Sequence, residues 1–217
     1  GFIRVKFQSI NEVKKAINSK VAGIFIEPIQ GEGGINVANI KFLSQLRKVC
    51  NENKILLGFD EVQSGIGRTG KMFAYQWSKI KPDILTSAKG LGGGFPIGAI
   101  LLSNKIAKAI KPGAHGSTFG GNHLACAVGQ SVISQIAKKS FLKNVIHKGE
   151  LLAKGLEEIR VVHNTKINSI HGKGLMLGMN CKISNLKLNE EVRHRGLLLV
   201  PAANNILRIL PPLNVTI

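Results

Sequence analysis

The chain has 217 residues, 44% hydrophobic and 19% charged, with 30 Lys and Arg against 12 Asp and Glu and a net charge of +18. That much apolar material excludes a disordered polymer, while no apolar run approaches the roughly 18 residues of a membrane helix. The basic residues are scattered from Arg4 to Arg208 and aromatics are only 5%, which argues for a solvated Lys-rich surface against a basic nucleic-acid-binding module. Residues 1–6 lack the apolar stretch and small-residue cleavage site of a signal peptide. Cys50, Cys126 and Cys181 are scattered, which indicates neither a disulfide framework nor a metal cluster. A cytoplasmic location is expected.

In chain order, residues 21–26 (VAGIFI) form an apolar run that stops at Glu27-Pro28, where proline removes a ladder donor. Phe42, Leu43, Leu46, Val49 and Cys50 recur at helical spacing. Residues 55–59 (ILLGF) end at Asp60, a Gly-containing loop (65–70) leads into a short helical stretch at 72–77, and residues 83–87 (DILTS) end before Lys89. Such alternation predicts a mostly parallel sheet of βαβ units, its strands buried on both faces. Glu27, Asp60 and Lys89 then emerge at one carboxyl-terminal edge, where open α/β sheets bind ligands. Residues 97–102 follow after a connection too short for a parallel crossover, so this strand is expected to be antiparallel. Helices are predicted at 122–137 and 142–159. Beyond them, short strands at 167–170, 174–180, 197–200 and 206–210 surround a helix near 186–195. This reads as a smaller α+β C-terminal domain, giving the division 1–140 and 141–217.

Five segments carry chemistry. Lys89 sits in SAKGLGGGFP (87–96), after an apolar strand and before glycines that let a ligand approach. Partial desolvation there would favour the neutral amine a Schiff base needs. A nucleotide phosphate loop fits poorly, because the lysine precedes the glycines. Asp60, at a strand end, is either the N-cap of the next helix or the carboxylate that keeps a pyridine-type ring nitrogen protonated. Glu61 competes for that role, although strand alternation turns it the other way. Residues 27–34 (EPIQGEGG) are either a solvated turn or an acidic ligand loop. In residues 115–122 (HGSTFGGN), two hydroxyls precede a helix start, as an anion contact or as a cap. Arg208, between Leu207 and Ile209, needs a partner; a planar carboxylate suits it, and so does a structural salt bridge.

Together these segments resemble the class III family of pyridoxal-phosphate-dependent aminotransferases (fold type I), in particular its acetylornithine and ornithine branch. The matching stretches are 27–34 (EPIQGEGG), 59–70 (FDEVQSGIGRTG), 82–98 (PDILTSAKGLGGGFPIG), 115–122 (HGSTFGGN), 172–178 (GKGLMLG) and 207–214 (LRILPPLN), in family order. The resemblance implies the large pyridoxal-phosphate-binding α/β domain, mostly parallel with one antiparallel strand, plus part of the small α+β domain. It implies that Lys89 carries the cofactor and moves the proton. Asp60 pairs with the ring nitrogen, Val62 packs on the ring and Gln63 reaches its phenolic oxygen. Thr118, helped by Ser117, binds the phosphate of the neighbouring subunit's cofactor, which implies a homodimer sharing its sites. Arg208 grips the substrate carboxylate and Glu32 is its gate.

The implied activity is amino transfer from the distal amine of N2-acetylornithine to 2-oxoglutarate, giving N-acetylglutamate semialdehyde and glutamate in arginine biosynthesis. Ornithine, 4-aminobutyrate and succinyl-diaminopimelate are alternative donors. The sequence departs from the family pattern at His123, where proline is usual. The resemblance covers the second part of such a subunit, without the N-terminal phosphate loop, the ring-stacking aromatic or the closing helices. The chain is therefore expected to be a fragment that is inactive alone.

Overall fold

A computed structural model describes all residues 1–217. Its strands are β1 (Gly23–Ile26), β2 (Ile29–Gln30), β3 (Asn36–Val37), β4 (Leu56–Asp60), β5 (Ile84–Ser87), β6 (Ala99–Leu102), β7 (Ile167–Lys173), β8 (Met176–Cys181), β9 (Val200–Ala202) and β10 (Ile206–Ile209). The helices are α1 (Ile10–Ala16), α2 (Ile40–Glu52), α3 (Asn104–Ala107), α4 (His123–Ile136), α5 (Lys139–Val162) and α6 (Asn185–His194), with 3-10 turns at Ala74–Trp77 and Lys89–Gly92. The chain falls into two compact units. One draws on Gly1–Pro28, Ala38–Gln63 and Tyr75–Ile133; the other on Ile29–Val37, Ser64–Ala74 and Ser134–Ile217.

The first unit holds a sheet of order β1-β4-β5-β6. β1, β4 and β5 run parallel and β6 antiparallel, as the short Gly-rich connection before β6 requires. α2 forms because Phe42, Leu43, Leu46, Val49 and Cys50 share one buried face. Asn39 caps it, accepting Phe42 N–H at 2.6 Å. That face packs on Leu57 and Phe59 of β4, and burial of a side chain such as Leu46 contributes about 1.5–3 kcal/mol. Asp83 fastens the opposite end of the sheet: one carboxylate oxygen accepts Leu57 N–H at 2.9 Å and Arg47 Nη1 at 2.7 Å.

The strands are not all buried on both faces. Phe25 of β1 is 56% exposed, and on β6 both Ile100 (63%) and Leu101 (45%) are exposed, because these outer strands leave one face of β1 and both faces of β6 without cover within this chain. Phe25 instead folds its ring over Gly58, its register partner on β4. α1 was not anticipated from the pattern; seven residues are too few for the periodicity to stand out, although Ser9 caps it by accepting Glu12 N–H at 3.4 Å.

The second unit is built on the antiparallel sheet β7-β8-β10-β9. β8 supplies Met176, Leu177, Met179 and Cys181 to the interior and β10 supplies Ile206, Leu207 and Ile209. The GKGLMLG stretch bends where glycine is needed. Gly174 takes φ +59°, and a Cβ there would stand 2.7 Å from the Thr69 backbone. A Cβ on Gly149 of α5 would in turn stand 2.5 Å from Gly174. The small hairpin β2–β3 also belongs to this unit, pairing Ile29 with Val37 and Gln30 with Asn36. Its tip carries Glu32, within the segment whose bland reading was a solvated turn.

Candidate functional site

In the first unit, β4 and β5 end side by side. Asp60 stands in register with Thr86, and Lys89 lies one turn beyond at the same sheet edge. Asp60 Oδ1 accepts Val62 N–H at 2.9 Å, forming a local turn. Glu61, the competing acid, is fully buried and accepts Tyr75 N–H at 2.7 Å. Burial raises the Tyr75 pKa, and the Glu61 carboxylate adds to the effect. The alternation of β4 thus separates the two acids, as their positions require.

Lys89 is exposed, where its setting predicted partial desolvation. The cause is local: Gly90, Gly93 and Gly94 around it are themselves exposed and carry no side chain to cover it. Its backbone is unusual, with φ +45°, a region that costs a non-glycine residue about 1–3 kcal/mol and concentrates at functional positions. Just before it, Thr86 Oγ1 and Ser87 Oγ are buried without a hydrogen-bond partner. Val62 and Gln63 follow Asp60, both half-buried. Ser117 and Thr118 lie exposed in the loop before α4. The cap of α4 is Asn122, which accepts Ala125 N–H at 2.9 Å, so the helix start does not require either hydroxyl.

In the second unit, Arg208 of β10 is buried and its Nη1 donates to Glu32 Oε1 at 2.7 Å, while the Glu32 side chain is 69% exposed. The carboxylate partner anticipated for this arginine is thus a side chain of the same chain. Arg208 sits opposite Gly178 on β8 and Val200 on β9.

Three features of this unit escaped the sequence reading. Arg68 Nη1 donates to Leu175 O at 3.2 Å and Pro211 O at 2.6 Å, tying together three of the singled-out segments; its burial lowers the guanidinium pKa. His171 and Asn204 both reach the β2–β3 tip. The signal for Asn204 was the Asn204-Asn205 pair between apolar runs, a type I′ turn signature, and both residues have positive φ. No group of three or more His, Cys, Asp and Glu residues is placed to hold a metal ion, and no helix is long and apolar enough to cross a membrane.

Residues 3–217 match the family model Aminotransferase class-III. The chain is 47% identical over 216 residues to the acetylornithine aminotransferase of Mesorhizobium japonicum, covering 100% of this chain and 54% of that protein. Among solved structures, the N-acetylornithine aminotransferase of Stenotrophomonas maltophilia superposes with a TM-score of 0.89 at 34% identity, covering 98% of this chain and 57% of that one. An ornithine aminotransferase of Toxoplasma gondii, whose structure reveals partial occupancy of PLP at its active site, gives 0.92 at 31% identity over 98% of this chain and 51% of that one. The chain spans about half the length of the curated relatives it matches.

Proposed function

The chain belongs to the class III aminotransferases, and we propose that the enzyme containing it moves the distal amino group of N2-acetylornithine to 2-oxoglutarate. The products would be N-acetylglutamate semialdehyde and glutamate, in cytoplasmic arginine biosynthesis. One observation carries the aminotransferase reading: an acid and a lysine at the carboxyl ends of adjacent parallel strands, Asp60 in register with Thr86 and Lys89 just beyond; the 47% identity to an acetylornithine aminotransferase supports the choice of donor. The residues fit a pyridoxal phosphate ring. The carboxylate can hold a proton on the ring nitrogen, and the lysine emerges from strained backbone at the same edge. The hydroxyl of Thr86, the register partner of Asp60, is buried without a hydrogen-bond partner.

When bound, pyridoxal phosphate supplies the electron sink for a carbanion next to the substrate nitrogen. Lys89 takes and returns the proton at that carbon. Asp60 would keep the ring nitrogen protonated, Val62 would pack against the ring and Gln63 would donate to its phenolic oxygen. Thr118, with Ser117, binds the phosphate held by the neighbouring subunit of a homodimer. Arg208 forms a bidentate pair with the α-carboxylate of 2-oxoglutarate and of glutamate. Glu32 covers that guanidinium while the distal amine donor reacts, and yields it to the keto acid. The proposed division of the complete subunit assigns residues 1–140 to the large domain and 141–217 to the small domain, with residues 29–37 and 64–74 of the former counted in the compact unit that holds 134–217.

The test is an amine panel with the complete enzyme and 2-oxoglutarate. N2-acetylornithine should give the highest kcat/KM; a higher value for ornithine, 4-aminobutyrate or succinyl-diaminopimelate would replace it as donor. Ornithine is the second reading, favoured by the structural likeness to ornithine aminotransferases. Arg208→Ala should raise KM for 2-oxoglutarate at least about tenfold, the loss of a charge-assisted pair. An unchanged KM would remove Arg208 from the substrate site.

A further inference from the structure

The β2–β3 tip that bears Glu32 is held by its main chain. Ala203 N–H donates to Glu32 O at 3.1 Å, Asn204 Nδ2 to Gly33 O at 3.1 Å and His171 Nε2 to Gly34 O at 2.8 Å. Three consecutive carbonyl oxygens are thus engaged by groups from the β9–β10 turn and from β7. Since a carbonyl oxygen only accepts, His171 carries its proton on Nε2. The grip is also steric: a Cβ on Gly34 would stand 3.0 Å from Ile206 Cγ1 and 3.1 Å from Ala203 O. Asn204 reaches Gly33 because it occupies the left-handed region at φ +57°, which asparagine tolerates better than most residues. Against this fixed backbone the Glu32 side chain is 69% exposed while touching Arg208.

We propose that His171 and Asn204 are positioning residues for Glu32. They hold its Cα over the guanidinium of Arg208, so that the carboxylate leaves and returns by side-chain rotation alone, without movement of the loop. This rests on the reading of Glu32 as the gate. Loosening the tip should weaken the cover on Arg208 and admit glutamate more readily relative to the distal amine donor.

The experiment measures, in the complete cofactor-loaded enzyme, the ratio of half-reaction rate constants for glutamate and N2-acetylornithine. Asn204→Gly keeps the left-handed turn and removes only the amide; His171→Phe removes the ring donor; His171→Gln replaces it with an amide donor. Asn204→Gly and His171→Phe should each move the ratio toward glutamate by about three- to tenfold, the scale of one lost neutral hydrogen bond, and His171→Gln should restore it. In a Glu32→Ala background neither should move it further, because the effect passes through that carboxylate. An unchanged ratio in Asn204→Gly and His171→Phe with Glu32 present, or an equal shift with Glu32 removed, overturns the positioning role and leaves the gate standing. If Glu32→Ala by itself leaves the ratio unchanged, the gate reading fails and the positioning role with it. A variant that failed to fold would show as lost thermal stability, and if His171→Phe does so, Asn204→Gly decides the question.

Discussion

Asp60 occupies the last position of β4 and already accepts one backbone hydrogen bond from Val62. Asn can keep that bond while losing the charge, so Asp60→Asn separates the two readings the sequence left open. If the residue only closes a turn, the substitution costs at most about 1 kcal/mol of stability. If it holds a ring proton, turnover falls at least about a hundredfold, the usual effect of removing a preorganised electrostatic partner, with folding intact. Steady-state kinetics and a melting curve distinguish the outcomes, and the account predicts the second. At this scale the sequence was informative about identity and less so about environment. Lys89 could be singled out by its position, but its exposure could not, because exposure depends on what neighbouring loops cover. The partnership of Arg208 with Glu32 joins residues far apart in the chain and could be anticipated only as the need for a carboxylate.

Among the elements, β4 and β5 were legible as short apolar runs, and α2 because its apolar residues recur at helical spacing. The antiparallel sense of β6 followed from the length of its connection. The β2–β3 hairpin was not legible, since two-residue strands carry no period. The contact of α2 with the sheet yields a prediction of its own. Burial pushes the Asp83 carboxyl up, but the Leu57 N–H and the Arg47 guanidinium outweigh it and hold its pKa below the ordinary 3.8. A depressed folded pKa means that this stabilisation is fully present above the ordinary value and is lost as pH falls through the lowered one. Asp83→Asn should therefore destabilise the protein at neutral pH by about 1–3 kcal/mol, and the difference from wild type should shrink as the pH drops below about 4. Denaturant titrations at several pH values measure this; a pH-independent difference would mean the aspartate acts only through its shape.

For the molecule as a whole, the net charge of +18 has no role in the proposed chemistry. The proposal that each phosphate site draws Thr118 from a neighbour is testable through symmetry. Complete enzyme carrying Lys89→Ala and complete enzyme carrying Thr118→Ala should each be impaired. Mixed subunits should regain turnover, because one site per hybrid pair then has both residues intact. No recovery on mixing would place Thr118 in the same subunit's site or outside any site.

Chemical trapping identifies the lysine that holds the cofactor. Borohydride reduction of the complete, cofactor-loaded enzyme, followed by digestion and peptide mass mapping, shows which amine carries the pyridoxyl group. A single modified peptide is expected, with the added mass on Lys89 and absent after Lys89→Ala. A modified lysine elsewhere, or the same labelling in the Lys89→Ala variant, would contradict it.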